Sequence, residues 1–163
     1  MGTRPYSVLF ICTGNSARSI IAEALLNSFG RGRFTAFSAG SAPRGAVHPE
    51  TLALLRRNRI DVSGLRSKSW DEFATSDAPQ MDFIFTVCDK AAGEQCPVWL
   101  GHPVTAHWGF ADPAAVVGDV ERERVFERVY EEIAARLHLF IALPIETLDR
   151  ASLQHRVAAM GRA

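Results

Sequence analysis

The 163-residue chain is poor in cysteine and has no net charge, and each of these features excludes some classes of protein. Three cysteines are too few for a disulfide scaffold, so we expect a cytoplasmic protein whose cysteines are reactive or buried thiols. The 18 basic and 18 acidic residues balance, which argues against nucleic acid as a partner. No apolar run approaches the roughly 20 residues that span a bilayer, so no membrane contact is expected.

Apolar segments alternate with helical patterns along the chain. Two continuous apolar runs end at Cys12 and at Cys88 and predict strands that are covered on both faces. RFTAFSAG (33–40) and VTAHWGF (104–110) predict two further strands. Helices are predicted over 17–29 with one apolar face, from about 48, over about 120–142, and over about 150–160 after Asp149 as the cap. This order predicts one α/β domain over 1–163, a three-layer fold with a four-stranded parallel sheet and helices on both faces.

The segment CTGNSARS (12–19) links the first strand to the first helix. Parallel sheets present their ligand sites at the carboxyl ends of strands, where Cys12 lies. Gly14 lets the backbone come close to a ligand, and Asn15 tolerates a left-handed conformation. If the loop curls around a centre, its N–H groups form a cradle for a tetrahedral oxyanion, and Arg18 adds a planar fork of donors.

The same donors are expected to lower the pKa of Cys12, so that this cysteine is a thiolate and a nucleophile. Ser19 is expected to donate a further hydrogen bond to the sulfur. The residues predicted to bind the oxyanion are Thr13, Gly14, Asn15, Ser16, Ala17 and Arg18. The alternative interpretation is a buried structural cysteine followed by an unrelated surface arginine.

Four segments, VLFICTGNSARS, FSAGS, FTVCDKAAGEQCP and HWGFADPA, resemble the arsenate reductases built on the low-molecular-weight protein tyrosine phosphatase fold. The likeness runs from about residue 7 to 137. It implies that Cys12 attacks arsenate and forms a thiol–arseno adduct. It also implies that Asp112, in the pair Asp112-Pro113, is the general acid that helps water to leave, because a leaving oxygen needs a proton.

Cys88 and Cys96 separate reduction from hydrolysis. Hydrolysis of a phosphate ester needs one cysteine, whereas reduction of arsenate needs two electrons, which a dithiol supplies. The resemblance implies that Cys88 attacks Cys12, expels arsenite and leaves a Cys12–Cys88 disulfide, and that Cys96 then attacks Cys88. An external thiol reductant, thioredoxin or glutaredoxin with glutathione, would reduce the final disulfide, and no tightly bound cofactor is expected. The alternative is a core cysteine at Cys88 and an unrelated loop thiol at Cys96.

Metal binding is not predicted. Zinc ligation by Cys88, Cys96, His102 and His107 is disfavoured because the spacings miss the usual zinc patterns. In some of the resembled reductases potassium lies beside the loop, at positions that match Asn15, Glu23 and Ser38. Lys68 stands near the place where those relatives carry an acidic ligand, and we expect its ammonium to replace the charge of the cation.

Two other functions stay open, a low-molecular-weight phosphatase acting on phosphomonoesters and a non-catalytic oxyanion-binding module. The phosphatase branch carries aromatic residues beside its Asp-Pro pair that flank a phosphotyrosine ring. Ala114 and Ala115 follow that pair here and make a poor ring clamp. Arsenate reduction in arsenic detoxification is therefore the preferred prediction, with phosphate and sulfate as competing anions.

Overall fold

The computed structural model describes residues 4–88, 99 and 101–161. The strands are β1 (Tyr6–Ile11), β2 (Phe34–Ala39), β3 (Phe83–Thr86) and β4 (Val104–His107). The helices are α1 (Arg18–Phe29), α2 (Pro49–Arg57), α3 (Asp119–Ile141) and α4 (Arg150–Gly161). Short 3-10 turns occur at Trp70–Phe73, Pro113–Ala115 and Ile145–Thr147.

The four strands form one parallel sheet in the order β2-β1-β3-β4. Residues 8–11 of β1 have no exposed surface, as expected of a central strand that is covered on both faces. The predicted fold class, a four-stranded parallel α/β sheet with helices, is confirmed. Because Ile11 pairs with Thr86, the chain leaves β1 and β3 at the same edge of the sheet, and the residues that follow these two strands are brought together.

An aromatic cluster fixes α3 and α4 to the sheet. The rings of Phe85 and Trp108 stack with centroids 4.0 Å apart, and Phe140 of α3 meets Phe85 edge-on at 5.3 Å. The buried indole N–H of Trp108 donates to the carbonyl of Val157 in α4 at 2.9 Å. Such rings bury a large apolar area, and the polar tip of Trp108 has its partner. The sheet edge above this cluster therefore has a rigid support.

Helix α1 lies inside the molecule rather than on its surface. It packs against β1, β2, α2 and α3. Its buried residues are Ser19, Ile20, Ile21, Ala22, Ala24, Leu25 and Leu26, which occupy most of its circumference. The expectation of one apolar face is therefore wrong, because neighbours cover α1 on several sides. Within the described ranges, no helix has both the length and the apolar character needed to cross a membrane.

Candidate active site

The loop between β1 and α1 curls over the carboxyl end of the sheet. Asn15 adopts a φ of 45°, in the left-handed region where asparagine is tolerated. The loop rests on the end of β2, where a Cβ at Gly40 would lie 2.4 Å from the carbonyl oxygen of Thr13 and 2.7 Å from that of Cys12. Only glycine permits so close an approach, so FSAG is part of the support of the loop.

The start of α1 leaves backbone donors for a ligand. Its N-cap is Ala17, whose side chain cannot accept a hydrogen bond, and the amide of Ile21 is the first to bond back to the carbonyl of Ala17. The N–H groups of the first turn have no partner within a helix. They carry the positive end of the helix dipole, and so this end of α1 suits an anion.

A cavity of about 620 Å³ opens over this loop. Its walls include nine of the residues predicted from the sequence: Cys12, Thr13, Gly14, Asn15, Ser16, Ala17, Arg18, Cys88 and Asp112. They also include Ala42, Arg44, Phe110, Ala111 and Ala114. The structure thus brings Cys12, Arg18 and Asp112 around one space.

Arg18 is held by its outer nitrogens and keeps one donor unpaired. One terminal nitrogen donates to the carbonyl of Phe110 at 3.0 Å, and the other lies 3.6 Å from a carboxylate oxygen of Asp112. Its Nε is buried and has no hydrogen-bond partner among the described residues. An unpaired buried N–H is costly, and an oxyanion in the cavity would satisfy it.

Asp112 lies on the loop after β4 and is partly exposed. One oxygen accepts a hydrogen bond from the amide of Ala114 at 3.0 Å, which fixes the carboxyl group at the start of the turn Pro113–Ala115. The other oxygen is the one that faces Arg18. A carboxyl group held beside Arg18 can deliver a proton to an oxygen that leaves a bound anion.

Cys12 and Cys88 are neighbours in the reduced protein. Both thiols are free and almost fully buried, and both line the cavity. The sulfur of Cys88 accepts from the amide of Thr13 at 3.3 Å, and the hydroxyl of Thr13 lies 3.7 Å away. The second thiol is therefore held beside the residue that follows Cys12 before any substrate has bound.

This proximity changes the ionisation of Cys12. The neighbouring thiol of Cys88 and burial raise the pKa of Cys12, whereas Arg18 and the amide of Gly14 lower it. The expectation of a lowered pKa is therefore wrong for the reduced pair. Ionisation of one buried sulfur opposes ionisation of the other, and the loop donors act against that opposition. The sequence argument placed the donors around Cys12 but did not place a second thiol beside it.

Replacement of Cys88 by serine is expected to lower the pKa of Cys12, because a hydroxyl carries no competing charge. In a Cys96→Ser background, the rate of iodoacetamide reaction at Cys12 should rise at a lower pH when Cys88→Ser is added. Peptide mass mapping gives the rate for Cys12 alone, and the Cys96→Ser parent is the control. If the pH midpoint of the Cys12 reaction stays in place or moves to higher pH, the ionisation of Cys12 does not depend on Cys88 in the way that we expect.

Ser19 contacts Asn15 rather than the nucleophile. Its hydroxyl is fully buried and accepts a hydrogen bond from Nδ2 of Asn15 at 2.8 Å. No hydrogen bond joins it to Cys12 within the described part of the chain, so the prediction that Ser19 donates to the sulfur is wrong. The reason is that Ser19 lies in the first turn of α1 behind the loop, where its hydroxyl is hydrogen-bonded to the side-chain amide of Asn15.

Some predicted site residues fall outside this geometry. Cys96 lies outside the described residues, and its part in a relay stays a prediction. The described ranges contain no group of three or more histidine, cysteine, aspartate and glutamate side chains that could hold a metal ion. Beside the loop, the ammonium of Lys68 lies 3.7 Å from a carboxylate oxygen of Glu23.

Two participants were missed by sequence reasoning. Phe110 acts through its backbone carbonyl, which has no signature in residue types, and the guanidinium of Arg136 lies over its ring with a centroid distance of 5.0 Å. Arg44 lines the mouth of the cavity, and its amide donates to the carbonyl of Gly14 at 3.0 Å. Its place in the segment APRG gave no sign of this contact.

Known proteins are similar to this chain in sequence and in fold. The arsenate reductase of Shouchella clausii (strain KSM-K16) is 36% identical over 134 residues, which cover 82% of this chain and 93% of that protein. A solved arsenate reductase in the phosphate binding state superposes with a TM-score of 0.65 at 27% identity, covering 84% of this chain and 97% of that one. The thioredoxin-dependent arsenate reductase of Corynebacterium glutamicum gives a TM-score of 0.60 at 25% identity, covering 86% of this chain and 64% of that one.

The family model described as low molecular weight phosphotyrosine protein phosphatase matches residues 7–155, from the second residue of β1 into α4. This range includes the loop of residues 12–17 between β1 and α1, which we call the anion loop, together with both described cysteines and Asp112. A match of that extent shows that the chain belongs to the low molecular weight phosphotyrosine protein phosphatase family.

Proposed function

We propose that the protein reduces arsenate to arsenite through an adduct on Cys12 and a disulfide relay of Cys88 and Cys96. The observation that carries this proposal is that Cys12 and Cys88, both free and buried, line one cavity over the loop between β1 and α1. Phosphate ester hydrolysis has no use for a second thiol beside the nucleophile. Reduction needs it, because two electrons must reach arsenic.

The loop at the start of α1 binds the oxyanion. Unpaired N–H groups, the helix dipole and the free Nε of Arg18 all favour a tetrahedral anion at this place. Charge and shape are what these donors recognise, so phosphate and sulfate compete with arsenate. The solved relative in its phosphate binding state supports this part of the proposal.

The first chemical step joins sulfur to arsenic. The thiolate of Cys12 attacks arsenic, a sulfur–arsenic bond forms, and one arsenic–oxygen bond breaks. Asp112 gives its proton to the leaving oxygen, which departs as water. Arg18 stays bound to the remaining oxygens and, through its contact with Asp112, keeps the acid near the anion.

The second step transfers the electrons. The thiolate of Cys88 attacks the sulfur of Cys12, a disulfide forms, and the electron pair of the sulfur–arsenic bond leaves with arsenic as arsenite. The amide of Thr13 donates to the sulfur of Cys88 at 3.3 Å and holds that sulfur beside the loop that carries Cys12. Both cysteines line the same cavity, which favours their reaction with each other.

The last step returns Cys12 to its reduced form. Cys96 attacks Cys88, the thiolate of Cys12 leaves, and a Cys88–Cys96 disulfide results. An external dithiol then reduces that disulfide in the cytoplasm. We propose a thioredoxin-like protein as the reductant, since the Corynebacterium glutamicum relative is named thioredoxin-dependent, with glutaredoxin and glutathione as the alternative.

When the purified protein is supplied with thioredoxin and thioredoxin reductase, NADPH should be oxidised by the coupled system only if arsenate is present. One NADPH is consumed for each arsenite released, because each carries two electrons. Replacing arsenate by phosphate is the control and should give no NADPH loss. A parallel assay with glutaredoxin, glutathione and glutathione reductase identifies the second class of reductant.

Phosphomonoester hydrolysis is the second candidate, because the matching family model is described as a phosphatase. Cys12, Arg18 and Asp112 suffice for phosphoryl transfer, whereas the small Ala111 and Ala114 at the mouth leave a substrate ring without a clamp. Hydrolysis of a small aryl phosphate with no arsenate-dependent NADPH loss in either system would select this function. Anion binding without turnover of either substrate would indicate a non-catalytic oxyanion-binding module.

A further inference from the structure

Phe110 lies in the wall of the cavity, and its backbone is hydrogen-bonded through both polar groups. Its amide donates to the carbonyl of Val87, the residue before Cys88, at 3.2 Å. Its carbonyl accepts from a terminal nitrogen of Arg18 at 3.0 Å. Phe110 also precedes Asp112 by only two positions. The placement of this one residue therefore affects both the arginine and the carboxyl group of the site.

Arg136 of α3 contacts Phe110 through its ring. The guanidinium carbon of Arg136 lies 5.0 Å from the ring centroid of Phe110 and 6.0 Å from that of Trp108. A cation over the face of an aromatic ring is attracted by the negative charge of that face. Trp108 is buried and is fixed by its stack on Phe85 and by its hydrogen bond to Val157. Arg136 thus joins the partly exposed ring of Phe110 to a ring that cannot move.

Hydrogen bonds do not account for the position of Arg136. Its Nη1 is buried and has no hydrogen-bond partner among the described residues. A buried N–H without a partner is costly. Burial lowers the pKa of Arg136, whereas the carboxylate of Glu132, one turn earlier in α3, raises it. The two aromatic faces are the contacts that offset the cost of placing this guanidinium here.

The orientation of the Arg18 guanidinium depends on the carbonyl of Phe110. Its two terminal nitrogens face that carbonyl and Asp112, and its buried Nε remains for the anion. Because the guanidinium is planar, the contacts of its terminal nitrogens set the direction of Nε. The contact with Asp112 is the longer one, at 3.6 Å, and that carboxylate is partly exposed. The carbonyl of Phe110 therefore sets the plane of Arg18 more strictly.

We propose that Arg136 is a positioning residue for Arg18, because it holds the ring of Phe110 and thereby the carbonyl that orients Arg18 toward a bound oxyanion. This inference rests on the proposed function of the anion loop and Arg18 as an oxyanion site. It does not depend on arsenate reduction, since phosphate hydrolysis would need the same orientation of Arg18.

The test measures the binding of inorganic phosphate by calorimetry to the full chain with all thiols reduced. Arg136→Met should weaken phosphate binding about fivefold, the size expected for one lost orienting contact. Phe110→Leu removes the ring without changing any charge, and it should weaken binding to the same degree. In the double variant Phe110→Leu/Arg136→Met the two losses should not add, because both substitutions remove the same contact.

A second pair of variants tests whether the effect of Arg136 passes through Arg18. In an Arg18→Lys background, Arg136→Met should change phosphate affinity by less than about 1.5-fold, because an ammonium has no plane to orient. If Arg136 only supported the fold, the loss of affinity would be equal in both backgrounds. The matched control is Arg128→Met, which removes an exposed positive charge from the same helix and should leave phosphate affinity unchanged.

The proposal is overturned if Arg136→Met or Phe110→Leu binds phosphate normally, or if the losses of the double variant add. It is equally overturned if Arg136→Met keeps its full effect in the Arg18→Lys background, or if Arg128→Met is as weak as Arg136→Met. If Arg136→Met does not fold, Arg136→Gln, which removes the charge and keeps a polar side chain, replaces it in every comparison. A wild-type protein that binds no phosphate would instead refute the oxyanion site itself.

Discussion

A Cys96→Ser protein is expected to release one arsenite per chain and then stop. Cys12 can still attack arsenate, since the anion loop, Arg18 and Asp112 are intact. Cys88 can still attack the adduct, because it lines the same cavity as Cys12. Transfer of the disulfide to Cys96, the predicted next step of the relay, is the step that fails. Steady-state reduction should therefore fall to background.

The burst can be quantified as arsenite released in the first turnover, with peptide mass mapping of the stalled protein. A Cys12–Cys88 bridge in the trapped chain is the expected product. The matched control is Cys88→Ser, which forms the adduct but should release no arsenite without an added thiol. Full multiple turnover by Cys96→Ser would contradict the relay and would make Cys96 a spectator.

The sheet could be predicted from the sequence because its signals are local. The buried run of β1 shows apolar residues at consecutive positions, and the turns at Gly30 and Gly40 limit the elements on either side. The order β2-β1-β3-β4 needs contacts between residues far apart in the chain, which periodicity does not contain. Helix α1 shows the same limit, since its burial is decided by four neighbouring elements.

The same distinction between local signals and contacts of distant residues applies to the site. The anion loop could be predicted because glycine, asparagine and arginine act there within seven residues of chain. The ionisation of Cys12 could not, because its pKa depends on Cys88, which follows another strand. The prediction for Ser19 was wrong for a related reason. The sequence places this residue near the sulfur, but in the fold its hydroxyl is hydrogen-bonded to Asn15. Spacing predicts proximity, whereas tertiary packing selects the partner.

Arg18 connects most of these contacts and has three separate tasks. One terminal nitrogen bonds to the carbonyl of Phe110, the other faces Asp112, and Nε remains for the anion. Three directions are available only because the guanidinium is planar and carries five N–H donors. A lysine ammonium is a single point of charge and cannot serve the carbonyl, the carboxylate and the oxyanion at once.

Arg18→Lys is therefore expected to reduce kcat/KM for arsenate by about 100- to 1,000-fold, in the range found when a preorganised donor to a reacting oxyanion is removed. Phosphate should compete much less strongly, because the bidentate contact is lost while the positive charge is kept. Steady-state kinetics with phosphate as the inhibitor measure both effects. Arg44→Lys at the exposed mouth is the matched control and should change either value by less than about threefold. Unchanged phosphate affinity in Arg18→Lys would mean that the oxyanion is held by the backbone alone.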